Sequence, residues 1–564
     1  MNLLKKSEKY NRLTALLINI LFFAVVLLLF KPNYDANDDN CMISLLCGAY
    51  GNPDGHIVWT NYIIGLFLST LYRLKADFVW YTLFYFLLMF IAFTEITAAV
   101  LRRARNHAVR ALLAVVLLYG YLECFTKMNF TRTASILAIA GMTDLADAIA
   151  SEEKKPVQAA AGVVLCLLSF MVRYESLFLT AAMYGGILIL SISSYVKGHE
   201  KNEIIKRAMQ GVVALAVLGG LVLGAKLIDD RAYSSEEWKE YEKYNMYRHE
   251  LLDLGWPDYE KNKELYTSLN ISESDLWLYQ AWDFYDTEIL NTNALAKLVA
   301  AKEKQPITGK YLLRAARDLA KYWLRSDGFR LCILLAAASI VIGKHTKAEI
   351  AAIGYTFAVF LLTFLYLYYL KRWNYERVSF GQYYPMLLCL LFSLGGHEIS
   401  VPKKAAVGLL VLPVVVLLIC CRGGHTAAKE KERGDRRESL GFLAELAEND
   451  NLYFADTFSA YPLGYYTPLE AIPAGSMTNI VPLGIWLSGS PPQKRVLEKW
   501  GVTNPFRALA EKENAYLVDG QNMPLIHLYL KEHYDKNLAV ETVKEARVSI
   551  YRFSHEKQQT GETG

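Results

Sequence analysis

The sequence predicts an α-helical polytopic membrane protein with about eleven transmembrane helices and a C-terminal extracytoplasmic α/β domain. Three observations support this fold class. The chain has 564 residues, of which 53% are hydrophobic, and this is too apolar for a soluble chain of this size but too polar for one wholly in the membrane. Apolar runs of about 20 residues, the length that spans a bilayer, recur through the first three quarters of the chain. Two long polar regions, 229–326 and 423–564, interrupt and follow those runs.

The first apolar run sets the expected orientation. It extends from Leu16 to Phe30 and is apolar apart from Asn19. Basic residues precede it: Lys5, Lys6, Lys9 and Arg12. Because basic flanks stay in the cytoplasm, we expect the N-terminus inside and the end of this helix outside. No small-residue cleavage site follows the run, so we expect an uncleaved anchor rather than a signal peptide.

The remaining spans follow from length and hydropathy. The full set of candidates is 13–30, 78–100, 109–125, 131–150, 157–172, 175–195, 208–228, 328–343, 349–370, 379–395 and 405–421. With this set, five basic clusters beside the spans fall in the cytoplasm, as the positive-inside tendency requires. These clusters include Arg102 to Arg110, Lys154 with Lys155, and Lys403 with Lys404. Residues 1–422 then form the transmembrane domain, and both long polar regions lie outside.

One further apolar stretch, 61–74, tests this assignment. Treating it as a span would place Arg102 to Arg110 outside and invert every later loop. We therefore expect 41–50 and 61–74 to be helices that lie along the outer membrane surface with an apolar face down. The first external loop, 31–77, then contains an acidic turn followed by two in-plane helices.

The two polar regions differ in character. Region 229–326 predicts a large helical external loop, rich in Tyr and Trp side chains that suit either a membrane interface or a sugar face. Region 438–555 predicts a small extracytoplasmic α/β domain with short strands at 451–455, 515–518 and 548–553. Helices are predicted there at 492–500, 504–509 and 523–533. The domain has no GxSxG, CxxC, HExxH or Walker pattern, so no chemistry is assigned to it.

Composition argues against several other classes of protein. The net charge is only +4, and the chain has neither a basic face with interleaved aromatic residues nor a Gly-rich phosphate loop. We therefore expect no nucleic-acid partner. The eight cysteines are scattered without metal-ligand spacing, so neither a disulfide framework nor a zinc site is expected. An external pair between Cys41 and Cys47 is left open.

Carboxylates in the first external loop are the leading candidates for chemistry. Asp38 and Asp39 stand directly after the first span, where ionised groups near lipid are costly and tend to be functional. A general base needs a carboxylate whose pKa is near the operating pH, and both a like-charged neighbour and desolvation raise the pKa. A solvated turn that caps the next helix is the alternative. Asp54 and His56 follow in a Pro-Asp-Gly-His turn, where His56 could donate to a phosphate oxygen or serve the turn alone.

Basic residues supply the second pattern. Lys371, Arg372 and Arg377 occupy a short loop on the expected outer side, where basic residues are disfavoured. This predicts an anionic partner, because guanidinium groups match phosphate oxygens; contact with lipid headgroups is the alternative. Arg132, Arg173 and Glu175 are predicted to line the same outward cavity, although an Arg173–Glu175 ion pair would also account for the last two.

These residues together resemble a known superfamily. The acidic motif Asn37-Asp38-Asp39 after an N-in helix, with in-plane helices before the second span, is similar to the GT-C glycosyltransferases. The Pro-Asp-Gly-His turn and Glu376-Arg377-Val378 also resemble uncharacterised multi-pass proteins of Gram-positive bacteria. The resemblance covers about 1–420 and implies a GT-C-like fold that takes sugar from a polyprenyl-phosphate or polyprenyl-diphosphate donor. It implies Asp38 or Asp39 as the base and Arg372 or Arg377 at the donor phosphate, with Lys371 and His56 beside them.

The sequence thus predicts an inverting glycosyltransferase of a bacterial cell membrane, with its N-terminus in the cytoplasm. Its partners would be a polyprenyl-phosphate-linked sugar, membrane lipids and a glycan, lipid or protein acceptor. No metal ligand is assigned; the Asp-Asp motif departs from the Asp-Glu or Glu-x-Asp common in the family, which leaves open whether a divalent cation is needed. The alternatives are a transporter or flippase for a lipid-linked glycan and a non-catalytic envelope scaffold.

Overall fold

The computed structural model describes most of the chain. The described residues are 2–103, 107–151, 155–303, 306–342, 345–395, 437–438, 440–442, 444–458, 466–546 and 548–555. The predicted last span, 405–421, lies outside the described residues. The basic residues Lys154, Lys403 and Lys404 also lie outside them.

The first part of the chain is helical, apart from one short strand pair. Its helices are α1 Asn2–Leu29, α2 Asp38–Leu46, α3 Tyr62–Leu74, α4 Trp80–Arg103, α5 His107–Thr126, α6 Phe130–Ala150, α7 Pro156–Val196 and α8 Lys201–Ala232. Strands β1 (Asn33–Tyr34) and β2 (Lys127–Met128) pair in parallel. This pairing joins the segment after α1 to the segment before α6, which places the first acidic residues beside the start of α6.

A second group of helices follows in the polar region. The helical insert, which we define as residues 229–326, contains α9 Glu236–Leu252, a 3₁₀ turn Glu260–Asn262, α10 Lys263–Ser268, α11 Glu273–Gln280, α12 Thr292–Ala300 and α13 Gly309–Arg325. Helix α11 begins at a reciprocal capping box formed by Ser272 and Asp275. The chain then forms α14 Asp327–Ile342, α15 Lys347–Tyr369 and α16 Glu376–Gly395.

Six helices in the described part of the chain are long and apolar enough to cross a membrane. They are Asn11–Leu29, Trp80–Arg103, Phe130–Ala150, Pro156–Val196, Lys201–Ala232 and Lys347–Tyr369. Many of their apolar side chains face outward, such as Leu28 at 84% exposure, because lipid rather than protein covers them in a membrane. The chain is therefore a helical membrane protein with a small sheet region.

Helix α7 combines two of the predicted spans. Arg173 leaves the helical conformation, with φ −162° and ψ 100°, so the backbone breaks between the first and second halves of Pro156–Val196. The predicted boundary between 157–172 and 175–195 falls at this break. Arg173 therefore marks a corner of the bundle rather than an ordinary turn of helix.

The two short helices of the first loop differ from each other. Helix α3 has a buried face that includes Ile64 and Leu68, while Phe67 is 51% exposed, as expected for a helix at a surface. Helix α2, in contrast, is buried on all sides from Asp39 to Leu46. The expectation that 41–50 lies with one face on lipid is wrong for this reason: protein encloses the segment.

The sheet domain, residues 438–555, has a five-stranded sheet. Its elements are β3 Leu452–Ala455, β4 Ile480–Pro482, α17 Pro491–Lys499, α18 Pro505–Glu511, β5 Ala515–Asp519, α19 Met523–His533, β6 Leu538–Lys544 and β7 Ser549–His555. The strand order is β4-β3-β5-β7-β6, with β4, β3 and β5 parallel and β7 and β6 antiparallel. The three predicted strands and three predicted helices are confirmed, whereas β4 and β6 were not predicted.

Candidate active site

The candidate site lies where several helices of the bundle begin or end together. Helix α2 begins at Asp38, α6 begins at Phe130 and α16 begins at Glu376. The β1–β2 pair fixes the first of these against the second. Charged residues from all three helix starts and from the end of α5 therefore meet in one cluster, which we call the carboxylate cluster and define as Asp35, Asp38, Asp39, Glu123, Lys127, Arg132, Glu376 and Arg377.

Asp39 is the buried carboxylate of this cluster. Its side chain is 0% exposed, with Tyr81 Oη donating to Oδ1 at 2.8 Å and Asn129 Nδ2 donating to Oδ2 at 2.9 Å. Burial raises the pKa of Asp39 to about 8, against the lowering effect of the Tyr81 hydrogen bond, and the charge of Asp38 raises it further. Asp39 thus titrates near neutral pH, but its two oxygens are already held by protein donors.

Asn129 connects this carboxylate to the start of α6. Its Oδ1 accepts a hydrogen bond from the backbone N–H of Thr131 at 2.9 Å, which caps the helix, while its Nδ2 donates to Asp39. The Asn129 side chain therefore satisfies a free backbone N–H at the start of α6 and also orients the buried Asp39 carboxylate. Asp39 is positioned by the fold rather than by solvent.

Asp38 is the accessible carboxylate. Its side chain is 23% exposed, and its Oδ2 lies 3.8 Å from Arg377 Nη2. The other terminal nitrogen of Arg377, Nη1, lies 3.9 Å from Asp35 Oδ2. One guanidinium group therefore spans two carboxylates, a geometry that a lysine cannot reproduce. Asp38 is therefore the more exposed carboxylate of the Asp38–Asp39 pair.

Arg132 is the buried cation of the carboxylate cluster. It is 0% exposed, with Nη1 3.2 Å from Asp35 Oδ2 and Nη2 3.4 Å from Glu123 Oε2. Lys127 lies 2.9 Å from Glu376 and 3.3 Å from Glu123. The buried charge of Arg132 is therefore balanced by carboxylates, as a buried ion requires.

Arg248 is a second buried basic residue, and it has no carboxylate within ion-pair distance among the described residues. Arg248 of α9 is 1% exposed, its Nε donates to Asn245 Oδ1 at 2.8 Å, and its guanidinium carbon lies 5.5 Å from the centre of the Trp282 ring. Its Nη1 is buried and has no hydrogen-bond partner in the described part of the chain. Burial lowers the pKa of Arg248, against the raising effect of Asp253 and, more weakly, of Asp38.

Arg372 extends this second group. Its Nη2 lies 3.7 Å from Asp253 Oδ2, and both Arg372 and Arg377 face the Tyr375 ring, at 5.8 and 4.8 Å from its centre. Both guanidinium groups thus lie within 6 Å of the centre of one aromatic ring. Lys371, in contrast, donates to the Leu254 carbonyl at 2.5 Å, so it holds the helical insert rather than facing Asp38.

Asp54 and His56 form a separate structural pair. His56 Nδ1 lies 2.5 Å from Asp54 Oδ1, and its Nε2 lies 3.2 Å from the Ala232 carbonyl oxygen. The imidazole stacks on Trp238 with ring centres 4.7 Å apart. Both ring nitrogens therefore face acceptors of the protein, and the structure does not bring His56 to the Asp38 carboxylate as a phosphate donor.

Arg173 and Glu175 lie beside the cluster rather than in it. They pair at 3.0 Å, which agrees with the structural alternative. Arg173 also lies over the Phe130 ring at 5.5 Å and the Trp59 ring at 5.2 Å. Because the Phe130 backbone N–H bonds Asp39, Arg173 is one side chain away from the buried carboxylate.

The sheet domain covers the first loop at this point. Gly475 N donates to the Gly48 carbonyl and Met477 N to the Ala49 carbonyl, each at 2.9 Å. Asn40, next to Asp39, donates to the Tyr466 carbonyl at 3.1 Å. These contacts explain why α2 is enclosed, and they place the sheet domain against the segment that carries Asp38 and Asp39.

The donor set of the cluster does not match a divalent-cation site. Asp35 and Asp38 face the guanidinium groups of Arg132 and Arg377, and both oxygens of Asp39 accept hydrogen bonds from neutral donors. Among the described residues, no three carboxylates of this cluster converge on a common point as metal ligands.

Several residues of the site carry no pattern in the sequence that predicts them. Glu123 sits inside an apolar helix, Arg248 in an ordinary polar helix, and Tyr81 and Asn129 are common residue types at helix starts. The position of Arg248 on the buried face of α9, two turns after Tyr241, is the only sequence feature that could have marked it.

The sequence matches no protein-family model, and comparison of the chain with curated proteins and with solved structures finds no match to either.

Proposed function

We propose that this chain is a membrane glycosyltransferase that moves a sugar from a polyprenyl-phosphate-linked donor to a hydroxyl of an envelope acceptor outside the cytoplasm. The proposal includes a GT-C-like transmembrane domain with about eleven spans, the N-terminus in the cytoplasm, and the carboxylate cluster and sheet domain on the outer side. The observation that carries it is the environment of Asp38: an accessible carboxylate at a helix start, with Arg377 at 3.8 Å and the buried Arg248 nearby.

In this mechanism Asp38 is the general base. Its carboxylate removes the proton from the acceptor hydroxyl as the oxygen attacks the anomeric carbon of the sugar. The bond from that carbon to the phosphate oxygen breaks, and the electron pair leaves with the lipid phosphate. Attack from the face opposite the leaving group inverts the anomeric centre. Arg377 positions Asp38 through its contact with Asp38 Oδ2.

Arg248 and Arg372 are proposed to hold the leaving phosphate. A phosphate that gains negative charge is stabilised by fixed positive groups in a site shielded from water. Arg248 is already desolvated by burial, and its Nη1 has no hydrogen-bond partner among the described residues, so an anion that reached it would gain a charge-assisted hydrogen bond. Arg377 is paired with two carboxylates and therefore ranks below Arg248 for this role.

The test uses the full chain in nanodiscs with radiolabelled polyprenyl-phosphate sugars and an envelope extract as acceptor. We expect release of lipid phosphate together with labelled acceptor, lost in Asp38→Asn and retained in Asp230→Asn. Asp230 is a matched control because it is an exposed aspartate whose one ion pair within the described ranges is with Lys226, at 3.0 Å. Movement of the intact lipid-linked sugar across the bilayer without release would replace the proposal with a flippase. Neither release nor binding of any donor would favour a scaffold.

A further inference from the structure

Three side chains with metal-ligand chemistry meet where the helical insert contacts the sheet domain. Asp275 lies on α11, and Glu532 and His533 end α19. One ligand atom from each lies within 4.8 Å of the other two. The same two helices also touch through Tyr279 and Tyr529, whose hydroxyl groups are 3.0 Å apart, so the three side chains belong to a packed contact and not to loop ends that meet by chance.

Asp275 is buried and incompletely satisfied. Its side chain is 1% exposed, and that of His533 is 5% exposed, with His533 Nε2 at 2.9 Å from Asp275 Oδ2. That oxygen also accepts the backbone N–H of Ser272 at 2.7 Å. The other oxygen, Oδ1, is buried and has no hydrogen-bond partner among the described residues. An orphaned carboxylate oxygen in the protein interior is costly, and its position in this group indicates a cation.

The surroundings of His533 suit a metal ligand. Its other ring nitrogen, Nδ1, lies 3.2 Å from the Asn270 side-chain amide. When Nε2 binds a metal, Nδ1 carries the proton, and the amide of Asn270 can accept it through its oxygen, because the two ends of an amide exchange by rotation. Asn270 is itself held at φ 55°, so it is a fixed partner of the kind that orients ligand histidines.

We propose that Asp275, Glu532 and His533 bind a zinc ion. The imidazole nitrogen and the carboxylate oxygens of this group are ligand types that zinc binds in proteins, and water would take the fourth position. Magnesium and calcium favour oxygen ligands alone and more of them, so the histidine selects against both. The ion would join α11 to α19 and so fasten the sheet domain to the helical insert. This role is independent of sugar transfer.

The chain offers a matched control for the test. His555 lies 2.7 Å from Asp535, but its side chain is 74% exposed, and no third ligand joins this pair among the described residues. His555→Gln therefore removes a histidine from an aspartate pair in the same domain without touching the proposed site. Asp275→Asn is a second useful variant, because its amide oxygen can still cap α11.

The experiment measures zinc in the full-length protein, purified, stripped with a chelator and then titrated with Zn²⁺, with Mg²⁺ run in parallel. We expect about one zinc per chain and a rise in the thermal midpoint on zinc addition, in wild type and in His555→Gln. His533→Gln, Glu532→Gln and Asp275→Asn should lose the bound zinc and the rise, and Asn270→Leu should weaken binding about tenfold. Equal zinc binding by wild type and His533→Gln, or no zinc binding by wild type, would overturn the proposal.

Discussion

Arg377 Nη2 lies 3.8 Å from Asp38 Oδ2, and this contact joins the start of α16 to the start of α2. The same guanidinium reaches Asp35 through Nη1. Because both carboxylates stand on the segment that follows α1, Arg377 fixes that segment against the last described helix of the bundle. In the proposed mechanism Arg377 orients the general base Asp38, while Arg248 and Arg372 bind the leaving phosphate.

This contact predicts a difference between two substitutions at one position. Arg377→Lys keeps the charge but can reach only one of the two carboxylates, so we expect transfer to fall about tenfold. Arg377→Gln also removes the charge, and we expect a loss on the order of a hundredfold. Initial rates at saturating donor measure both. Arg330→Gln, which removes an exposed arginine paired with Asp327, serves as control, and equal rates in all three variants would argue against the orienting role.

The buried carboxylate predicts a pH dependence of stability. The pKa of Asp39 is raised from 3.8 to about 8 in the folded protein, so between these values the folded state holds a proton that the unfolded state has released. Stability contributed by this group is therefore present below about pH 4 and is lost as the pH rises towards 8, with a limiting slope of about 1.4 kcal/mol per pH unit. We expect the thermal midpoint of wild type to fall between pH 5 and pH 8, and Asp39→Asn to flatten this dependence. The same slope in wild type and variant would assign it to other groups.

The two buried arginines predict opposite effects on stability. Arg132 is balanced by Asp35 and Glu123, whose other ion-pair partners among the described residues are Arg377 and Lys127. Arg132→Met removes the buried partner that both carboxylates share and should destabilise the fold by about 3–5 kcal/mol. Arg248 has no carboxylate within ion-pair distance in the described structure, so Arg248→Met removes an uncompensated charge. We expect it to leave stability unchanged or raised while it weakens donor binding.

Thermal unfolding and binding of a polyprenyl-phosphate sugar measure the two halves of this prediction on the same preparations. If Arg248→Met unfolds as easily as Arg132→Met and binds donor normally, Arg248 is a structural residue and the phosphate site lies elsewhere.

A close backbone contact predicts how the sheet domain is held. A Cβ placed on Gly484 would lie 1.6 Å from the carbonyl oxygen of Trp282 in the helical insert, so Gly484→Ala must push the two apart, at a cost of about 1–3 kcal/mol. We expect faster proteolysis of the sheet domain and reduced transfer. Gly309→Ala, where an added Cβ meets no atom within 4 Å, should behave as wild type. Unchanged proteolysis of Gly484→Ala would show that the close contact between Gly484 and Trp282 does not hold the sheet domain in place.

The sequence predicted those features that depend on local patterns. Hydropathy located helices at every candidate span before residue 396, short apolar runs located β3 and β5, and alternation located β7. These features depend on the order of apolar and polar side chains in consecutive residues. Arg132 was among the residues predicted to line the outward cavity, and the structure has Arg132 3.2 Å from Asp35. Strand β4 was missed because Ile480–Pro482 is only three residues long and ends in proline.

What escaped prediction depends on contacts between distant segments. The residues next to Arg248 in the sequence do not indicate that its Nη1 has no partner among the described residues. Asp275 and His533 come together because α19 packs on α11. The enclosure of α2 has the same origin, because residues of the sheet domain cover it. The sequence of a helix indicates which of its faces is apolar, but it does not indicate which part of the chain will cover that face.

Asp38 is proposed to be the general base of a sugar transfer. Measuring donor binding and turnover separately tests this role. Asp38→Asn keeps the size of the side chain and removes only the basic oxygen, so the account predicts donor binding within about threefold of wild type and transfer reduced by 10²–10⁴-fold, the range of general-base catalysis. Both quantities are measured on one nanodisc preparation, with Asp230→Asn beside it. Transfer by Asp38→Asn at the wild-type rate would contradict the account.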